Sequence, residues 1–291
     1  MISERLKLYR SPGAVGVELM DVTSSDRCWR VVHDRYCVAI CVAGATEYRY
    51  RARAFTKTAG VVTLHEPGEA YSARRQHGLG AATVFSIDPA TFTGWDSREP
   101  LEARHFVPGP GAEPALIRRW SQLAKAIRTS RSSQDVEAAL GSAMAEIFAS
   151  RAEGAWSSGS NARGSNARAD KKEHRAVAYV KARLQEGVHE KISLEQLATE
   201  VGLHKLYLLG VFRDQVGVPP HTYQLQIRVA RARSLLSDGA RIGDVVTKLG
   251  FSDQSHLSRH FRRAFGVPPG TYAALIRSTR ALSREGRDAP S

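Results

Sequence analysis

The chain has 291 residues, 42% of them apolar, and a formal net charge of +13. That size supports two domains with cores of their own, and no apolar run approaches the ~18 residues needed to span a bilayer. Three cysteines (Cys28, Cys37, Cys41) without CxxC spacing, and a start without an apolar signal core, fit a cytoplasmic protein rather than an exported or disulfide-built one.

From the N-terminus, residues 1–150 are close to neutral, with 19 Lys and Arg against 16 Asp and Glu. About 110 of them show strand character. "CVAICVAG" is an apolar run ending in Gly44, and "TEYRYRARAF" alternates with Tyr48 and Tyr50 on one face. "GVVTLHEPGEAY" runs into a Pro-Gly turn, and "AATVFSIDPA" stops at Asp88-Pro89. Short strands with such punctuation predict a sandwich or small barrel. Two helices follow. Leu116, Trp120, Leu123 and Ile127 recur at helical spacing in 115–129, as do Val136, Leu140, Met144 and Phe148 in 133–151. They pack either on the barrel or on a second subunit.

Within this half, Trp29, Tyr36, Tyr48, Tyr50, Tyr71 and Phe85 are candidates to line a pocket for an organic effector, with ordinary core as the alternative for each. His33, Glu69, His77 and His105 are scattered and no HxH occurs. His65, on an alternating strand, reads as a core or edge histidine. No metal or other cofactor is therefore expected. Cys37 and Cys41, four apart, would lie about 13 Å from each other in a strand, too far for a disulfide. No GxSxG, Walker A, GxGxxG or HExxH occurs, so no catalytic residue is assigned and an enzyme is not expected.

Residues 151–170 read "RAEGAWSSGSNARGSNARAD", with GSNAR twice in tandem. Small polar residues without periodicity bury too little to offset ordering entropy, which predicts a flexible linker between domains 1–150 and 171–280. A disordered tail is expected at 281–291.

The C-terminal half, 151–291, is basic, with 23 Lys and Arg against 13 Asp and Glu, and helical in pattern. Such a charge points to an acidic partner, and arginine's planar fork suits phosphates and guanine edges. Ser193 followed by Gln196 is a capping-box signature. Leu194, Leu197, Ala198 and Val201 form a helical stripe that Ile242, Val245, Val246 and Leu249 repeat 48 residues later. Each run ends in a glycine turn, at Gly202 and Gly250. Leu208, Phe212 and Val216 are then matched by Leu257, Phe261 and Phe265 at an offset of 49. "FRDQVGVPPHTY" and "FRRAFGVPPGTY" agree at eight of twelve positions. Gly217 and Gly266 are expected as left-handed caps, each followed by a proline-started helix. The repeated unit is a helix-turn-helix, and 220–237 forms a connecting helix of about 27 Å, near the ~34 Å between major-groove openings on one face of B-DNA.

"GFSDQSHLSRHFRRAFGVPPGTY" closely resembles the signature of the AraC/XylS family of bacterial transcription regulators, over about 172–276. The first domain more loosely resembles that family's cupin-like effector-binding and dimerisation domain, through "HDRYCVAICVAGATEYRYR" and "PGEAY". The resemblance implies an α+β two-domain protein: a cupin-like β-barrel with two helices, then an all-α domain with two helix-turn-helix units. It implies a DNA-binding activator or repressor of transcription, controlled by a small-molecule effector or another signal; a cytoplasmic homodimer on double-stranded DNA, with RNA polymerase as a further partner, is expected. An effector-independent regulator and a cupin-type enzyme fused to a DNA-binding domain are the alternatives.

In the second unit, Ser252 is the expected N-cap. Gln254, Ser255, Ser258 and Arg259 share the face opposite Leu257 and Phe261, placing adenine- and guanine-reading groups together. His256 contacts backbone or packs locally. The first unit departs from this pattern, with Lys205, Leu206, Leu209 and Gly210 on the corresponding face. Relatives usually carry arginine where Gly210 stands and a serine or threonine cap where His204 stands. That face sits on a thymine-rich step, binds backbone through Lys205, or is a protein-contact patch. Arg262, Arg263, Arg228 and Arg231 are expected on phosphates, and six such contacts would give a log–log salt slope of about −5.

Overall fold

The computed structural model describes residues 4–51, 53–93, 106–130, 132–152 and 175–285. Most of the expected linker (153–170) lies outside them. So does 286–291 of the expected tail, while a helix occupies 269–285.

The first half folds into one antiparallel sheet of eight strands. They are β1 (Arg5–Tyr9), β2 (Val17–Ser25), β3 (Arg30–Val32), β4 (Tyr36–Tyr50), β5 (Arg53–Thr58), β6 (Val61–His65), β7 (Ala70–Ile87) and β8 (Pro110–Gly111). The order is β1-β2-β7-β4-β6-β8, with β3 also on β7 and β5 also on β4. The two strands expected at 37–44 and 46–55 merge over most of their length into a single long strand, β4, which pairs with β7 from end to end. Its register breaks between Cys41 and Ala45, around Gly44 at φ 78°. A Cβ at Gly44 would fall 3.0 Å from the Gly80 Cα, so the bend needs glycine for both conformation and space.

The bend divides the sheet into two lobes. In the first, residues 36–41 of β4 are all buried, as a continuous apolar strand covered on both faces must be. Val38, Ile40, Leu64 and Phe85 pack there against α1 (Pro89–Thr93), α2 (Pro114–Thr129) and α3 (Ser133–Arg151). The helical stripes lie where their spacing predicted, and Trp120 meets Phe85 edge-on at 4.9 Å. So α2 and α3 pack on their own chain's sheet.

The second lobe alternates, with Thr46, Tyr48 and Tyr50 buried, and it joins the core of the C-terminal half. That half is α4 (Arg175–Glu186), α5 (Leu194–Glu200), α6 (Lys205–Val216), α7 (Pro220–Ser237), α8 (Ile242–Lys248), α9 (Gln254–Phe265) and α10 (Pro269–Glu285). The capping box forms: Ser193 Oγ accepts from Gln196 N at 3.1 Å, and Ser193 N donates to Gln196 Oε1 at 2.8 Å. Gly217 and Gly266 take the left-handed conformation at φ 90° and 80°, ending α6 and α9. α7 starts at Pro220 as expected and is the shared axis, packed against α4, α6, α8, α9 and α10.

Candidate nucleic-acid interface

α9 is strongly amphipathic. Leu257, Phe261, Ala264 and Phe265 are buried, while Gln254, Ser255, Arg259, Arg262 and Arg263 are exposed and Ser258 and His256 half-buried. The N-cap is Asp253, not Ser252: its Oδ1 accepts from His256 N at 2.7 Å. The Ser252 hydroxyl instead donates to Asp253 Oδ2 at 3.0 Å and lies 3.2 Å from His256 Nδ1. A carboxylate at Ncap satisfies a free amide and also complements the helix dipole. The His256 ring packs locally, edge-on to Phe251 and His260. The exposed face of α9 therefore carries Gln254, two serines and Arg259 over its first turns and two further arginines, Arg262 and Arg263, in its last turn, on a helix of the width a major groove admits.

α6 places different chemistry on the same framework. Leu208, Phe212 and Val216 are buried, and His204 caps the helix by accepting from Leu206 N at Nδ1 (3.4 Å). Leu206 is 66% and Tyr207 55% exposed, with Leu209 half-buried. Lys205 is occupied by Glu195 on α5, at 3.3 Å. Tyr207 is an addition to this face that sequence reasoning missed, although it aligns with His256; nothing in its spacing marks it as exposed rather than core. A Cβ at Gly210 would meet nothing within 4 Å, so packing does not require glycine there.

The four expected phosphate-binding arginines divide. Arg262 and Arg263 project from the last turn of α9. Arg228 and Arg231 point inward. Arg228 donates to the carbonyls of Val188, Glu190 and Gly250, and Arg231 to that of Gln185 at 2.7 Å. These two stitch α7 to the last turn of α4 and to the turns that follow α4 and α8; the Gln185 carbonyl is one that a helix end leaves free.

The tyrosines of the repeated phrases both reach the first domain. Tyr223 donates to the Gly68 carbonyl at 2.7 Å, and Tyr272 to Glu18 Oε2 at 2.8 Å. Glu18 also accepts from Ser237 at 2.6 Å and pairs with Arg10. Burial pushes the Glu18 carboxyl up, but Arg233, Arg10, Arg35 and the Ser237 hydroxyl outweigh it and hold it at about 2. Arg233 pairs with Asp34 at 3.6 Å, Ser234 donates to Asp34 at 2.6 Å, and Lys181 pairs with Glu69 at 2.9 Å. Arg27 donates to the Arg262 carbonyl at 3.0 Å, tying the last turn of α9 to the sheet domain.

The six aromatics singled out in the first domain fall into three places. Tyr36 stacks on Phe92 at 3.9 Å and Phe85 packs on Trp120, both in the core under α1 and α2. Trp29 sits between the domains, within van der Waals reach of Gly266. Tyr48, Tyr50 and Tyr71 surround His65, with ring centroids 6.0, 4.9 and 4.9 Å away. Only these last three share one space. Glu69 and His77 lie apart, on Lys181 and Glu47 respectively, and His105 lies outside the described residues. No helix among the described residues is long and apolar enough to cross a membrane.

Residues 197–274 match a family model described as a helix-turn-helix domain. The uncharacterized HTH-type transcriptional regulator YbfI of Bacillus subtilis is 39% identical over 74 residues, 25% of this chain and 27% of that protein. The probable transcriptional regulator LumQ of Photobacterium leiognathi is 30% identical over 80 residues, 27% of this chain and 32% of that protein. The chain thus spans about a third or less of these curated relatives. Over nearly its whole length the fold resembles that of ToxT from Vibrio cholerae. The apo form of a ToxT variant is matched over 92% of this chain and 100% of that one, with a TM-score of 0.54 at 14% identity. Unsaturated fatty acid-bound wild-type ToxT is matched over 96% and 99%, with a TM-score of 0.53 at 14% identity.

Proposed function

We propose that this chain, whose residues 197–274 form an AraC-type helix-turn-helix domain, is a cytoplasmic transcriptional regulator that reads double-stranded DNA chiefly through α9. The observation that carries the reading is the α9 face. Gln254, Ser255, Ser258 and Arg259 stand exposed or half-exposed on a helix whose other side is wholly committed to the core. Gln254 supplies the donor and acceptor that adenine N7 and N6 require, and Arg259 the fork for guanine O6 and N7. Arg262 and Arg263 supply phosphate contacts at the same helix end.

α6 is assigned a supporting role. Leu206 and Leu209 offer thymine methyls an apolar surface, and Lys205 and Tyr207 can reach phosphate once Glu195 is displaced. With Arg228 and Arg231 held by carbonyls, the basic residues left on the two reading helices are Lys205, Arg213, Arg259, Arg262 and Arg263; with Arg259 assigned to a guanine edge, four remain for phosphate. Four contacts give a log–log salt slope of about −4 rather than about −5. The sheet domain is assigned to homodimerisation and to a small-molecule effector, supported by Tyr48, Tyr50 and Tyr71 around one space, and by its direct bonds to both repeats. RNA polymerase is the further partner, and no catalytic role is assigned.

The test is binding-site selection with the purified chain, followed by footprinting with Arg259→Ala. The reading requires one preferred motif and a relaxed preference in the variant at the guanine step. Undiminished preference in Arg259→Ala would remove α9 from the role given to it.

A further inference from the structure

His65 is 3% exposed, yet neither of its ring nitrogens has a hydrogen-bond partner among the described residues. The Tyr48 hydroxyl beside it is buried and unpartnered too. A buried polar group left in this state costs about 1–3 kcal/mol, so three such atoms in one place call for something that pairs with them.

Two further donors face the same point. Cys37 is the direct cross-strand partner of His65 in the β4–β6 ladder, and the turn between β3 and β4 brings His33 over them. The His33 and His65 rings lie parallel with centroids 5.6 Å apart. One ligand atom from each of His33, Cys37 and His65 lies within 4.8 Å of the other two. Two imidazoles and a sulfur are the donor set of Zn2+ and its borderline-soft relatives, and tetrahedral bonding would draw the three atoms to about 3.5 Å. The geometry points to a divalent transition-metal site of the Zn2+ class at His33, Cys37 and His65, a role that sequence spacing alone gave no reason to assign.

The surroundings fit. His33 also lines a cleft of about 210 Å3 between the domains, with Gly68, Gln185, Ile227 and Arg231, which gives an ion a way in. Lys57 reaches the same space, over the Tyr48 and Tyr71 rings at 5.8 and 5.0 Å, and its charge opposes a cation. The Cys37 thiol offsets this by losing its proton to solvent on binding, which leaves one net positive charge on the metal–thiolate unit. With three protein ligands, a fourth position is left for water or an exogenous donor. Asp34, next to His33, is the residue that pairs with Arg233 and Ser234 on α7, so drawing His33 inward pulls on a domain contact. The site does not depend on which helix reads DNA.

The experiment is a Co2+ titration of the metal-free full chain, followed by absorption and by metal content after gel filtration. One Co2+ per chain with a sulfur-to-cobalt charge-transfer band is expected, displaced by Zn2+. Cys37→Ser should abolish the band, and Cys37→Ser and His65→Gln should each weaken binding at least about tenfold. Cys41→Ser should leave both unchanged. His33→Gln, at a half-buried turn, tests the site with the least disturbance to the core, and far-ultraviolet circular dichroism of each metal-free variant checks its fold. No band in the unmodified chain at excess Co2+ would overturn the site. So would a band that survives Cys37→Ser, or one retained at full strength in His33→Gln.

Discussion

The two helix-turn-helix units share a scaffold and differ in what they show to solvent. Both end the second helix in a left-handed glycine, both restart on proline, and both send a tyrosine into the sheet domain. Yet α9 presents Gln254, Ser255 and Arg259, where α6 presents Lys205, Leu206 and Gly210. Junction and reading face are thus separable: the first is dictated by backbone geometry and packing, the second only by what the exposed side binds. A second inequality lies underneath. Tyr223 docks on a neutral carbonyl, whereas Tyr272 docks on a buried carboxylate ringed by arginines.

Acid should break that comparison most strongly. Glu18 is held at about 2 in the folded chain against 4.5 when free. A carboxylate with a depressed folded pKa contributes stability that is complete above the free value and is lost as pH falls toward the folded one. The docking of the second repeat should hold from neutral pH to about 4.5, then lose about 3 kcal/mol toward pH 2. Denaturant unfolding against pH, with Glu18→Gln as a variant that lacks this component, measures it. Next in size, Arg259→Ala should cost about 1–3 kcal/mol on a selected site, against under ~0.5 kcal/mol for Lys205→Ala, whose ammonium already has Glu195. Titration of one labelled duplex reads both, and equal losses would erase the distinction between the readers.

Tyr272→Phe and Tyr223→Phe then compare the anchors. The first removes a hydrogen bond to a charged group and should cost about 2 kcal/mol; the second, a neutral one, about 1 kcal/mol. Thermal unfolding of the two variants shows whether the order holds. The last comparison is made by Gly210→Arg. It relieves a mid-helix glycine, which costs about 1 kcal/mol against alanine, and the added Cβ would meet nothing within 4 Å. Stability should rise by up to that amount, and binding should become more selective at the first half-site. Gain of stability without gain of selectivity would mark the α6 face as a protein-contact patch.

The C-terminal half was legible because its signals are local. Capping residues, glycine stops and three-four spacing act within a few positions, so Ser193, Gly217 and the limits of α7 could be placed from sequence. The sheet was only partly legible. β4 and β7 pair residues up to tens of positions apart, and a bulge at Gly44 lets one strand serve two lobes, which periodicity cannot express. Burial was the other blind spot. Arg228 and Arg259 look alike as letters on helices, yet one is spent on carbonyls and the other faces solvent. His65 and Cys37 sit 28 positions apart in the chain and become neighbours only through β-register.

α7 has a consequence of its own. Along it, Tyr223, Arg233, Ser234 and Ser237 are all gripped by the sheet domain, while its two ends join the two helix-turn-helix units. A helix advances about 1.5 Å and turns about 100° with every residue. Its eighteen residues therefore act as a phase-setter: adding or deleting one would swing α9 by about 100° around the axis relative to α6. On the proposed reading, the spacing of α6 and α9 along DNA is written as a number of residues, and it holds even though α6 shows fewer polar groups than α9.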